Sequence, residues 1–146
     1  MKLLVDTSII VKLDRKDKET QVLLKKFSQV HQLFISTITV AEILTGSYLR
    51  DDFDIASRKA KSIMGRFSWI ELDAMIAEKV GEINAFLISN GQKIELPDII
   101  IAATFSKIQA DYLLTFNKRH FERIGFLAKF TLTPQELDAQ IGKQGI

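Results

Sequence analysis

An acid ends the first apolar stretch of the sequence. Residues 3–5 (LLV) have the pattern of a buried strand, and Asp6 follows them directly. A carboxylate that is buried without a partner is costly, so we expect Asp6 to lie at an edge of the core. There it can cap a helix, pair with a cation or bind a metal ion.

A second acid, Glu42, lies in the stretch LFISTITVAEIL. A strand ending near Ser36 would lead into a helix whose early residues include Glu42. Thr39 and Glu42 also have the T-x-x-E spacing of a capping box, in which the glutamate accepts a hydrogen bond from the threonine backbone. Glu42 is therefore either a capping residue or a member of a site.

A third acid, Asp98, follows Pro97 in the stretch IELPDIIIAAT. Proline suits the first turn of a helix, and the positive end of the helix dipole favours a carboxylate there. Dipole compensation alone would explain this acid. The helix continues through residues 99–103, which are too apolar for a surface helix, so Asp98 begins a helix that enters the core.

The three acids are more informative together than singly. Each is predicted at a strand end or a helix start, the side on which parallel α/β sheets bind ligands. Carboxylates in one cleft repel each other unless a cation neutralises them. With no cysteine and only His31 and His120, the available ligands are mainly oxygens, which favour Mg²⁺ or Mn²⁺. Such an ion suits phosphoryl chemistry, because it polarises a phosphate and activates bound water.

The composition bounds the class of protein. The 146 residues are 47% hydrophobic and 26% charged, which suits one globular domain. No apolar run is long enough to span a bilayer, and Asp6 interrupts the N-terminal apolar stretch, so we expect neither a membrane segment nor a signal peptide. The lack of cysteine fits a cytoplasmic location. The net charge of +2 permits an anionic partner, although the basic clusters are explained equally by solvated helix faces. One of these clusters comprises Lys12, Arg15, Lys16 and Lys18.

Short apolar runs alternate with helical patterns along the chain. Strands are predicted at residues 2–5, 33–36, 69–72, 112–114 and 128–132. Helices are predicted at residues 18–30, 40–49, 55–67, 74–89 and 97–108, and Pro97 and Pro134 mark helix starts. This alternation predicts one three-layer α/β domain over residues 1–146, with a mostly parallel sheet of about five strands flanked by helices.

Four stretches, in order, resemble the signatures of PIN-domain ribonucleases: VDTS, TVAE, LPDIIIAA and LLTFNKRHF. The resemblance covers nearly the whole chain and is strongest to the VapC-type toxins of prokaryotic toxin–antitoxin pairs. It implies that Asp6, Glu42 and Asp98 are the metal-binding and catalytic acids. It also implies Mg²⁺- or Mn²⁺-dependent cleavage of RNA, a VapB-like antitoxin that blocks the site, and a homodimer.

The fourth stretch departs from the family pattern. Asn117 and His120 stand where an aspartate is usual. Asn117 can offer a carbonyl oxygen, whereas His120 is either a surface loop residue or a group that protonates a leaving oxygen. Further candidates to line the site are Thr7, Ser8, Thr115 and Asn117, and the acids that could substitute as a fourth ligand are Glu95 and Glu122.

A rival hypothesis is that a PIN fold keeps these acids only to cap helices and serves as a catalytically silent scaffold or binding module. The presence of all three acids argues against it, and the altered fourth stretch argues for it. A dehalogenase-type phosphotransferase would need a second acid where Ser8 stands. A receiver domain would need adjacent acids after the first strand, and a DNA reader would need a concentrated basic element. The sequence has neither of these features.

Overall fold

A five-stranded parallel sheet forms the centre of the fold. Its strands lie side by side in the spatial order Ser68–Ile70, Gln32–Ser36, Lys2–Val5, Tyr112–Leu114 and Thr131–Leu132, and every neighbouring pair is parallel. The predicted α/β class is thereby confirmed. The structure is a computed structural model that describes residues 1–145, so Ile146, the last residue of the predicted domain, lies outside the described residues. The strands are β1 (Lys2–Val5), β2 (Gln32–Ser36), β3 (Ser68–Ile70), β4 (Tyr112–Leu114) and β5 (Thr131–Leu132).

Helices cover both faces of this sheet. Successive residues of a strand point to opposite faces, so Leu3 and Val5 enter one hydrophobic core and Leu4 enters the other. Within residues 1–145 there are eight α-helices: α1 (Thr7–Asp14), α2 (Lys18–Ser28), α3 (Thr37–Tyr48), α4 (Phe53–Met64), α5 (Ala74–Ser89), α6 (Leu96–Ile108), α7 (Lys118–Glu122) and α8 (Pro134–Lys143). None of these helices is long and apolar enough to cross a membrane.

The strand order brings three chain segments to one edge of the sheet. Strand β1 lies in the middle, between β2 and β4, and its residues 3–5 are fully buried. Because the strands are parallel, the residues that follow β1, β2 and β4 meet at their carboxyl ends. The backbone N–H of Asp6 donates to the carbonyl of Leu114 at 3.0 Å, which ties the first of these segments to the third.

Helix α6 is the most buried helix of the fold. Its residues from Ile99 to Phe105 are all buried, as the apolar sequence predicts. Pro97 lies in its first turn, and Pro134 opens α8, so both proline predictions are confirmed. The packing of these buried residues fixes the position of the first turn of α6 relative to the sheet, and Asp98 lies in that turn.

The element bounds differ from the prediction in several places, among them the start of α3, at Thr37 rather than residue 40, and the end of α4, at Met64 rather than residue 67. The strand expected at 128–132 is wrong over its first three residues, which form a 3₁₀ turn (Ala128–Phe130) before the two-residue β5. The strand expected at 69–72 lies at Ser68–Ile70, since Leu72 is exposed beyond it. Helix α1 was not predicted, because its few apolar residues follow two hydroxyl residues and show no full helical period.

Candidate active site

One open cavity of about 570 Å³ lies at the carboxyl edge of the sheet. Asp6, Glu42 and Asp98 all line it, and we call them the site acids. The structure thus brings together three residues that are far apart in sequence. Their role as ligands stays a prediction. Glu95 also lines the cavity, whereas Glu122 lies in a separate shallow depression.

Asp6 is a buried carboxylate that is held by dipoles. Its Oδ1 accepts a hydrogen bond from the backbone N–H of Ser8, so that it caps α1, and its Oδ2 accepts one from the Thr115 hydroxyl. Within residues 1–145, no salt bridge links Asp6 to a cationic side chain. Loss of solvation raises the pKa of Asp6, even though these hydrogen bonds favour its ionised form. The negative charge therefore lacks a cationic partner.

Asp98 lies in the first turn of α6 with its side chain 19% exposed. Burial raises the pKa of Asp98, and the nearby Glu95 acts in the same direction, while His120 opposes both. The Nδ1 atom of His120 is 3.1 Å from Oδ2 of Asp98. His120 is exposed, as a surface histidine would be, but it lies in the short helix α7 rather than in a loop and it contacts a site acid. Its catalytic role stays a prediction.

Glu42 is an exposed side chain on the second turn of α3, and its Oε1 accepts a hydrogen bond from the Thr7 hydroxyl at 2.7 Å. The capping-box interpretation of Thr39 and Glu42 is wrong. Helix α3 starts at Thr37, and Ser36 caps it by accepting from the backbone N–H of Ile38 at 3.2 Å. Glu42 therefore does not cap α3, and its side chain lines the cavity.

Hydroxyl side chains connect the start of α1 to the segment after β4. Thr115 is fully buried behind Asp6, and its Oγ1 accepts from the backbone N–H of Asn117 at 2.9 Å. The Ser8 hydroxyl accepts from the backbone N–H of Phe116 at 2.9 Å. Of the four predicted lining residues, Thr7, Ser8 and Asn117 line the cavity, whereas Thr115 lies behind Asp6 and does not.

The oxygen donors of this cavity fit a hard divalent cation by their chemistry. A buried carboxylate without a cationic partner, beside two further acids, is the kind of donor set that Mg²⁺ and Mn²⁺ take. The acids are not preassembled, since within residues 1–145 no group of three or more His, Asp or Glu side chains is arranged to hold a metal ion. Each site acid is instead engaged by its own neighbour: Thr115 for Asp6, Thr7 for Glu42 and His120 for Asp98.

The structure adds several lining residues that the sequence analysis did not assign to the site, and three of them matter for charge and its placement. Lys12, Arg15 and Phe116 all border the cavity. Lys12 and Arg15 were explained as part of a solvated helix face. The helical spacing of residues 8, 12 and 15 would have placed them beside the cavity, had α1 been predicted.

The sequence matches the family model of the PIN domain over residues 3–127. The protein belongs to the PIN domain family, as its four stretches predicted. No functionally curated protein matches the chain by sequence.

Several solved structures share this fold. VapBC2 from Rickettsia felis, bound to a DNA fragment from its promoter, superposes with a TM-score of 0.81 at 24% identity, over 91% of this chain and 98% of that chain. DNA-bound VapBC from Salmonella typhimurium gives 0.82 at 21% identity, over 92% and 98%. Mycobacterium tuberculosis VapC20, a sarcin–ricin loop cleaving toxin, gives 0.63 at 16%, over 86% and 97%. At these identities the likeness establishes the fold.

Proposed function

We propose that the protein is a metal-dependent endoribonuclease and the toxin of a VapBC-type toxin–antitoxin pair. The observation that carries the proposal is the buried Asp6 carboxylate, which lacks a cationic partner and shares its cavity with Glu42 and Asp98. Membership of the PIN domain family and the likeness to VapBC structures support it.

In this proposal, the site acids hold Mg²⁺ or Mn²⁺. When bound, the ion supplies polarisation of a phosphate and a more acidic water. Asp6 provides the fixed ligand, because Ser8 and Thr115 restrain both of its oxygens. Glu42 would exchange its present neighbour for the shared cation, and Asp98 would offer its Oδ1, since its Oδ2 contacts His120.

His120 provides a second function in this proposal. Its Nδ1 faces Asp98, so Nε2 is the ring nitrogen left for a substrate oxygen. From there Nε2 can donate a hydrogen bond or a proton to the oxygen that leaves. Asp98 would orient the ring for this task.

The proposal includes an antitoxin and a second copy of the chain. A VapB-like partner could mask the acidic cavity with an arginine or lysine, since charge-assisted hydrogen bonds to carboxylates are strong. We expect expression without this partner to slow growth, and Asp98→Asn to relieve that effect at matched protein levels. Equal growth of the two strains would contradict the toxin function. Size-exclusion chromatography with light scattering would test the expected homodimer.

The enzymatic proposal is tested by RNA cleavage with Mg²⁺ or Mn²⁺, with a chelator as the metal-free control. Glu42→Gln keeps the hydrogen bond to Thr7 but loses the charge, so it should lower the rate by more than the roughly 10- to 100-fold cost of losing a supporting partner of a ligand. Glu78→Gln is the matched control, because Glu78 is an exposed helical glutamate outside the cavity. Normal cleavage by Glu42→Gln would remove Glu42 from the site.

The competing function is a catalytically silent binding module. The lack of a preassembled acid cluster in residues 1–145 and the presence of Asn117 and His120 in the fourth stretch favour it. If the purified protein neither binds Mn²⁺ nor cleaves any RNA offered, the binding module is the better account.

A further inference from the structure

The cavity has a basic edge, formed by Lys12 and Arg15. Both side chains are exposed and border the cavity, Lys12 from the last turn of α1 and Arg15 from the position directly after that helix. Within residues 1–145, neither forms a salt bridge with a carboxylate. The basic edge therefore has its charge available to a ligand.

Phe116 holds one member of the basic edge in place. The Nζ atom of Lys12 is 5.4 Å from the centroid of the Phe116 ring, a distance at which a cation is attracted to the ring face. Phe116 is itself half-buried, and its backbone N–H donates to the Ser8 hydroxyl. The ammonium group of Lys12 is thus positioned at the cavity rather than left free in solvent.

The basic edge is offset from the acidic centre. An α-helix rises 1.5 Å per residue, which places the backbone of Lys12 about 9 Å and that of Arg15 about 13.5 Å beyond Asp6 along the direction of α1. Within residues 1–145, neither cation forms a salt bridge with Asp6. They are placed to bind an anion that lies beside the site acids.

An RNA strand is such an anion, but the acids of the cavity repel its phosphates. Four carboxylates line the cavity, and they repel a phosphate backbone in the absence of cations. Lysine and arginine are the side chains that bind phosphates most strongly. Cations beside the reacting phosphate would hold the strand against that repulsion. The four carboxylates are those of Asp6, Glu42, Glu95 and Asp98.

We propose that Lys12 and Arg15 bind a phosphate of the RNA strand next to the one that is cleaved. Phe116 acts as a positioning residue for Lys12. This inference rests on the proposed ribonuclease function. It identifies a phosphate of the substrate that the protein binds with residues other than the site acids.

Lys16 provides the contrast within the same segment. It follows Arg15 directly but borders a different depression, together with Lys59 and Arg66. Loss of its charge changes the net charge of the protein as much as loss of Lys12 does. A specific phosphate site predicts different effects for these two lysines, whereas a general electrostatic attraction predicts equal ones.

The test measures binding without cleavage. A fluorescent single-stranded RNA is titrated with the full chain carrying Asp98→Asn, in Mg²⁺ buffer at several salt concentrations. Adding Lys12→Gln or Arg15→Gln should each weaken binding about three- to tenfold and lower the slope of log affinity against log salt by about 0.7. Adding Lys16→Gln should change the affinity less than about twofold.

Phe116→Leu tests the positioning role while keeping an apolar side chain against the core. It should weaken RNA binding when Lys12 is present and have no further effect once Lys12→Gln is present. An equal effect in both backgrounds would show that Phe116 acts independently of Lys12. Circular dichroism of each variant checks that the fold is retained.

Two results would overturn the inference: equal losses for Lys12→Gln and Lys16→Gln, or unchanged RNA binding with loss of binding to a protein partner only. The outcome is separable from the proposed function. If the parent cleaves RNA but the Lys12 and Arg15 variants bind normally, only the phosphate site is wrong. If the parent never cleaves RNA but the variants bind as expected, the phosphate site stands and the nuclease is wrong.

Discussion

Replacement of Asp6 by asparagine should separate stability from function. The change keeps the shape of the side chain and removes its charge. Because burial raises the pKa of Asp6 above its ordinary value, the folded state holds the proton more tightly than the unfolded state does. The ionised carboxylate therefore opposes folding at a pH above the folded-state pKa, and this cost disappears as the pH falls below the unfolded-state pKa.

The expected gain in the free energy of unfolding at pH 7 is modest. Burial of a poorly compensated polar group costs about 1–3 kcal/mol, and the asparagine side chain would keep weaker versions of the hydrogen bonds with Ser8 and Thr115. A net gain of about 1 kcal/mol remains. For a chain of this size, this corresponds to a rise of about 3–5 °C in Tm.

Thermal unfolding followed by circular dichroism is the assay. In the presence of a chelator at pH 7, Asp6→Asn should melt above the parent, and the difference should shrink in acid. Added Mn²⁺ at about 100 times its Kd should stabilise the parent by about 2.7 kcal/mol and leave the variant unchanged. The parent should then melt above the variant.

Asp17→Asn is the matched control. Asp17 also caps a helix, α2, but it is only partly buried and the hydrogen bonds from Thr20 lower its pKa. Its charge therefore favours folding above the unfolded-state pKa, so Asp17→Asn should lower Tm at pH 7, and Mn²⁺ should not distinguish it from the parent. A lower Tm for Asp6→Asn in chelator, or an equal Mn²⁺ shift in the parent and Asp6→Asn, would refute the reasoning.

Three further changes test the neighbours of the site acids. Thr115→Val removes the hydroxyl that donates to buried Asp6, so urea unfolding at pH 7 should show a loss of about 1–3 kcal/mol, and an unchanged midpoint would contradict the contact. His120→Ala should lower the cleavage rate by roughly 10²-fold or more if His120 is the general acid, and by less than about tenfold if it only contacts Asp98. Asn117→Asp adds a carboxylate at the cavity and should tighten Mn²⁺ binding in a calorimetric titration, whereas an unchanged Kd would place Asn117 outside the ligand set.

Local patterns were sufficient to predict the elements whose signals are strong. Helix α5 lies at the predicted residues, because its apolar spacing is regular and Gly91, with φ of 71°, ends it as the sequence Asn90-Gly91 indicates. Strands β1 and β4 also match, since short apolar runs between polar residues suit strands that are covered on both faces.

Contacts between distant segments decided the points that local patterns left open. The T-x-x-E spacing at Thr39 allowed a capping box, but Ser36 caps the helix three residues earlier and Thr7 binds Glu42. The contact of His120 with Asp98 likewise depends on how α7 packs beside α6. Such pairings follow from the order of strands in the sheet, which the local pattern does not specify.

The most direct test of the account is a calorimetric titration of Mn²⁺ into the metal-free parent and into Asp98→Asn. The account predicts saturable binding to the parent and a loss of that binding in the variant, because the shared cation needs the charge of each site acid. Equal binding isotherms for the two proteins would contradict the claim that the cavity at the carboxyl edge of the sheet is a divalent-cation site.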